Sequence, residues 1–236
     1  MGVELVWARK PGGILSSGRT GVSFAAVSGK KILPVLLLLV FAVSRIPGLM
    51  PPNFSAAYAF AFCAGVFFPG RLAWWLPLSF MLATDFGLNL YYSSQGYDVF
   101  NPQMLRFMLG NYVGYLGLIW LGRRFKSHDS LLSLLGGGLL GALLFYLITN
   151  TIAWLFNPFG NPEYVKSFVG WLIALTKGTA GFPSTWEFFR NTLFSGGLFT
   201  ALFVAVSRLA AAESPADKGE QPEETQPEPE PEESPA

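Results

Sequence analysis

A chain of 236 residues that is 51% hydrophobic, 13% charged and of mean hydropathy +0.40 has the composition of an integral membrane protein rather than a soluble domain. The formal net charge of +1 hides an asymmetry: from Glu213 onward nine acidic residues face one lysine, leaving +9 on the rest. That excess sits in an N-terminal arm and short loops, so it reads as a topology signal and not as a nucleic-acid surface.

Residues 1–31 form a polar arm carrying Arg9, Lys10, Arg19, Lys30 and Lys31. No small-residue cleavage site follows Val43, so the first helix, Ile32 to about Ile46, is expected to stay uncleaved, with Arg45 snorkelling to the interface. Pro47-Gly48 and Pro51-Pro52-Asn53 predict a rigid loop. The second span, Phe54–Phe68, carries a row of small residues, Ala57, Ala61 and Gly65, that lets another backbone approach. Cys63 lies within it and reads as a small packing residue. Pro69-Gly70-Arg71 supplies a turn into the third span, Leu72–Tyr92. That span holds Asp85, with Asn89 one turn later on the same face.

A polar loop, Ser93–Gln103, leads to the fourth span, Met104–Leu121, with Gly110, Gly114 and Gly117 along it and Arg123, Arg124 and Lys126 after it. The fifth span is Leu131–Phe156, with Gly137 and Gly141 in GxxxG spacing. In the long connection Asn157–Glu187, the apolar stretch Val165–Leu175 is too short to cross a bilayer and predicts an interfacial or re-entrant helix. The sixth span is Phe188–Ala212. Residues 213–236 are rich in Pro and Glu, lack large apolar side chains and are expected to be disordered. The expected organisation is a cytoplasmic arm (1–31), an all-α, six-helix transmembrane domain (32–212) and an acidic tail (213–236).

The positive-inside rule is satisfied with both termini in the cytoplasm. Depth then follows from the helical rise. Asp85, Asn89, Asn111, Asn150 and Asn191 fall in the outer half, with Arg106 and Arg190 at the outer rim. Polar groups in lipid must face the bundle interior or a water-filled cavity. Their convergence predicts an outward-facing pocket for a small organic solute, with these seven residues as the candidate ligand contacts. A purely structural reading stays open: Asp85 pairs with Arg106 or Arg190, and the asparagines are interhelical glue. One cysteine and one histidine, His128, make no metal site, and no catalytic set or nucleotide-binding motif appears, so no enzyme activity and no cofactor are expected.

The segments 52–68, 76–90, 148–156 and 182–193 resemble an uncharacterised family of small bacterial six-helix membrane proteins. The motifs are Pro52-Asn53-Phe54, Asp85, Thr149-Asn150 with Trp154, and Asn191-Thr192-Leu193. Members often carry a further acid after the last motif, where this chain has Ser195-Gly196-Gly197. More distantly, the layout is similar to the S-components of energy-coupling-factor transporters. That resemblance implies a solute-binding subunit of an uptake system in the bacterial inner membrane, docking on a coupling subunit served by separate ATPase subunits. Ala57, Ala61 and Gly65 would be its docking face. In that reading Asp85→Asn abolishes binding without unfolding the bundle. A membrane scaffold without ligand and a solo proton-coupled transporter are the alternatives.

Overall fold

The computed structural model describes residues 29–213, with side chains from 35 to 209; the predicted basic arm up to residue 28 and the acidic tail from 214 lie outside the described residues. The described chain is all helical: α1 (Gly29–Ser44), α2 (Ala57–Phe67), α3 (Leu72–Ser94), α4 (Pro102–Gly122), α5 (Leu131–Phe156), α6 (Phe168–Leu175) and α7 (Thr185–Glu213). Among the described residues, three segments are long and apolar enough to cross a membrane: Pro102–Gly122, Leu131–Phe156 and Thr185–Leu209. α3 is as long, but Pro77, Asp85 and Asn89 dilute its hydropathy. Large apolar side chains are exposed along α1, α3, α4, α5 and α7, among them Leu39, Phe86, Leu109, Leu140 and Phe194. Water would not tolerate so extensive a surface, and a lipid environment accounts for it. The chain is a helical membrane protein.

Local signals set the helix starts. Asn101 caps α4, its side-chain oxygen accepting the Met104 N–H at 2.8 Å, with Pro102 in the first turn. Ser130 and Ser167 cap α5 and α6 by accepting from the N–H groups of Ser133 and Gly170, both at 3.1 Å. At the start of α2, Ser44 reaches across from the end of α1: its Oγ accepts the Ala56 N–H at 3.0 Å and donates to the Phe41 carbonyl at 2.8 Å. α5 ends on Asn157 in the left-handed region, φ 39°.

α2 differs most from expectation. It has 11 residues and begins at Ala57, because residues 51–56 are spent on a turn closed by Phe54 N–H to the Pro51 carbonyl, with Asn53 at φ 58°. At ~1.5 Å per residue it is about 16 Å long, roughly half a hydrocarbon core. It need not match the bilayer, since nine of its residues are buried. α1, α3, α4, α5 and α7 all pack against it, so it is the hub of the bundle.

The Ala57/Ala61/Gly65 row therefore has a different partner from the one expected. These residues are buried in the core and offer no face to another subunit. Gly65 meets Gly122 of α4 backbone to backbone: a Cβ on Gly65 would stand 2.4 Å from the Ile119 carbonyl oxygen, and one on Gly122 2.1 Å from that of Phe62. The row does permit close approach, but within the chain. The short helix expected between the fifth and sixth spans is present as α6, three residues shorter at its start than predicted, lying against α5 and α7.

Candidate functional site

At one end of the bundle the helix ends and connections enclose a cavity of about 990 Å³. Its walls come from the end of α1 and the α1–α2 loop, the start of α2, the C-terminal parts of α3 and α5, the N-terminal parts of α4 and α7, and the α5–α6 and α6–α7 connections. Polar side chains include Asn53, Asn111, Thr149, Asn150, Asn161 and Thr192; Phe54, Tyr58, Phe107, Tyr115 and Phe145 supply aromatic surface. Arg45 is the one charged residue that lines it among the described residues. This mixture of aromatic walls and a few polar groups is that of a small-molecule site, and the volume is at the upper end of the usual range of roughly 300–1,000 Å³.

Behind this wall stands a buried ion pair. The Arg45 guanidinium donates to Asp85 Oδ1, and both side chains are mostly buried, 17% and 16% exposed. The Tyr112 hydroxyl donates to the other Asp85 oxygen at 2.9 Å. α1, α3 and α4 are thus joined through one carboxylate. The Arg45 Nε is buried without a hydrogen-bond partner, and Phe41 lies beneath the guanidinium, ring centroid 5.9 Å from Cζ.

The seven expected contacts divide. Asn111 and Asn150 line the cavity, Asn150 donating to the Tyr146 carbonyl at 2.9 Å. Asp85 stands outside the lining, holding Arg45, and Asn89 donates to Met108 Sδ at 3.2 Å. Asn191 also stands outside, tying the α1–α2 loop to α7 through the Pro52 carbonyl at 2.9 Å. Arg106 and Arg190 are exposed and do not reach the cavity. The expected ion pair exists, but the partner of Asp85 is Arg45. α1 ends beside α3, so the guanidinium finds a carboxylate there and does not snorkel outward. The pairing of Arg45 with Asp85, the Tyr112 hydrogen bond to the same carboxylate and the cavity positions of Tyr58 and Tyr115 were not expected from the sequence. Their one signal was position: Arg45 ends the first span at about the depth of Asp85.

The connection from α5 to α7 closes over this end. Trp154 donates from Nε1 to the Val165 carbonyl at 2.8 Å, and Lys166 returns to the Trp154 and Leu155 carbonyls, satisfying the exposed end of α5. Trp171 of α6 donates to Thr151 at 2.9 Å. Glu163, beside the cavity residue Tyr164, accepts the Ala180 N–H at 3.0 Å, and this bond holds its carboxyl below the usual value. A lowered folded value means that the contact is fully present above the unfolded carboxylate range and is lost as pH falls through the folded value. The Ala180 amide is therefore expected to keep a constant exchange-protection factor down to that range and lose it below; in Glu163→Gln that acid step disappears. An unchanged step in the variant would dissociate it from Glu163.

The model of one family matches residues 27–217, which include every wall of the cavity. The chain belongs to DUF6580, a family of unknown function. No curated protein and no solved structure matches it. In this DUF6580 chain Asn53, Thr149 and Asn150 line the cavity, while Asp85 and Asn191 brace the parts that do.

Proposed function

We propose that this chain is a solute-binding membrane subunit of a bacterial uptake system. It would cross the inner membrane six times with both termini inside, its cavity open to the outside. The observation that supports this is the cavity itself: it collects polar and aromatic side chains from six helices and their connections at one end of the bundle. The basic loops that follow α2 and α4, with Arg71 and with Arg123, Arg124 and Lys126, lie at the opposite ends of those helices, which favours an outside position for the cavity by the positive-inside rule. The short α2 and the 16-residue α1 would be carried through the bilayer by their neighbours. Uptake then requires a coupling subunit and ATPase subunits on other chains. Since the Ala57/Ala61/Gly65 row is consumed internally, the docking surface would be a lipid-facing apolar face.

Native mass spectrometry of gently purified protein tests this reading. Wild-type protein is expected to carry a small molecule that is depleted in Asn111→Leu and retained in Arg106→Gln, whose side chain is exposed and off the cavity. Wild-type protein that carries nothing, or equal retention in the two variants, would remove the pocket from consideration.

A further inference from the structure

We infer that the solute is an uncharged, flat molecule with an amide-like edge, where hydrogen-bond donors and acceptors stand side by side; this rests on the solute-binding reading above and names its substrate class. The charge count decides the first part. Arg45 is the one charged residue on the cavity wall among the described residues, and Asp85 behind it already neutralises it. Charged groups around the cavity stay off its wall: Glu163 accepts from Ala180, Lys166 donates to the last carbonyls of α5, and Arg106 and Arg190 are exposed. An entering anion would meet a guanidinium whose charge Asp85 already balances. An entering cation would find aromatic faces but no carboxylate, and its nearest charge would be that same guanidinium. Either ion would lose hydration with no counter-charge in return, which costs more than transferring a neutral hydrogen-bonding group.

The wall itself decides the rest. Tyr58 and Tyr115 both pack on Phe145, with ring centroids 4.8 and 5.0 Å apart, so the three rings form one continuous aromatic surface on the cavity. Such a surface takes a planar apolar body in offset or edge contact. Close to it in sequence on α4 and α5 stand two amides. Asn150 uses its amino group on the Tyr146 carbonyl at 2.9 Å and keeps its oxygen as an acceptor. Asn111 makes no hydrogen bond to another described residue and keeps both its donor and its acceptor. A ligand edge that only accepts, or only donates, leaves part of this set unpaired. A primary amide, a lactam or a urea-like ring edge matches it.

The test uses the full chain in lipid nanodiscs at neutral pH and three matched probes that differ in charge: indole-3-acetamide, indole-3-acetate and tryptamine. Wild-type protein is expected to bind the neutral amide about tenfold or more tightly than either ion. Asn111→Leu should weaken amide binding about tenfold, since it leaves polar edges of the probe without partners. Asn111→Asp keeps the shape of the side chain and adds one unbalanced negative charge to the wall. In that variant tryptamine is expected to overtake the amide, and indole-3-acetate to fall further behind. Wild-type protein that binds either ion as tightly as the amide overturns the inference and leaves the pocket reading intact, as does an order of affinities that Asn111→Asp leaves unchanged. If no probe binds, the small molecule carried by wild-type protein decides: a neutral planar compound upholds the inference, an ion overturns it, and an empty protein removes both readings.

Discussion

Replacing Asp85 by asparagine is expected to lower stability by roughly 3–5 kcal/mol, the range for breaking a buried pair by removing one partner. The loss comes less from the pair than from what remains. Arg45 keeps its charge, is only 17% exposed and would face a neutral amide in place of a carboxylate. Tyr112 loses its ionised acceptor in the same step. The three helices joined by this carboxylate are α1, α3 and α4, so the damage extends beyond one contact. The double variant Arg45→Gln/Asp85→Asn should recover more than half of the loss, because neutral side chains of similar size leave no stranded charge. Thermal unfolding in nanodiscs, followed by ligand-free tryptophan fluorescence, measures both. A single variant within about 1 kcal/mol of wild type would show that the pair is as weak as a solvated surface pair. The sequence alone pointed to Asp85→Asn as a binding variant in an intact bundle; the ion pair makes it a stability variant first.

The second large effect belongs to the α2–α4 contact. Gly65→Ala and Gly122→Ala each place a methyl group against backbone, 2.4 Å from the Ile119 carbonyl oxygen and 2.1 Å from that of Phe62. No rotamer change relieves such a clash, so the helices must separate. The expected cost is about 3 kcal/mol or more, at the upper end for overpacking, because α2 is enclosed by five other helices and cannot shift alone. Gly136→Ala is the control. It lies in α5 with nothing within 4 Å of a Cβ, and a mid-helix Gly→Ala change there should be neutral or stabilising by roughly 0.5–1 kcal/mol. Unfolding midpoints of the three variants give the comparison. Similar midpoints for all three would mean that the bundle accommodates a wider α2–α4 spacing.

Much of the helical framework was legible because apolar runs and their breakers act locally. Leu131–Phe156 came out with the predicted bounds, since Ser130 caps one end and Asn157 turns at the other. The short helix in the α5–α7 connection was legible from an apolar stretch too short to span. α2 was misjudged by length: the apolar run begins at Phe54, but Pro51, Pro52 and Asn53 turn the chain before the helix can start. The convergence of polar residues at one end was also legible, since depth along a helix follows from residue number. Which of them share a wall was not. Asn111 and Asn150 face the cavity while Asn89 and Asn191 serve neighbouring helices and loops, a distinction that depends on how each helix is rotated about its axis.

The sequence by itself determined that this is a helical membrane protein, where its long helices run, and that its polar side chains gather at one end. Each of these follows from hydropathy, turn chemistry and helical rise, which are properties of short segments. The tertiary structure decided that α2 is an enclosed hub, that its small-residue row meets α4, and that Arg45 turns inward to Asp85. Those outcomes depend on which helices are neighbours. A guanidinium at a helix end can reach lipid headgroups or a carboxylate, and only the adjacency of α1 and α3 selects the carboxylate.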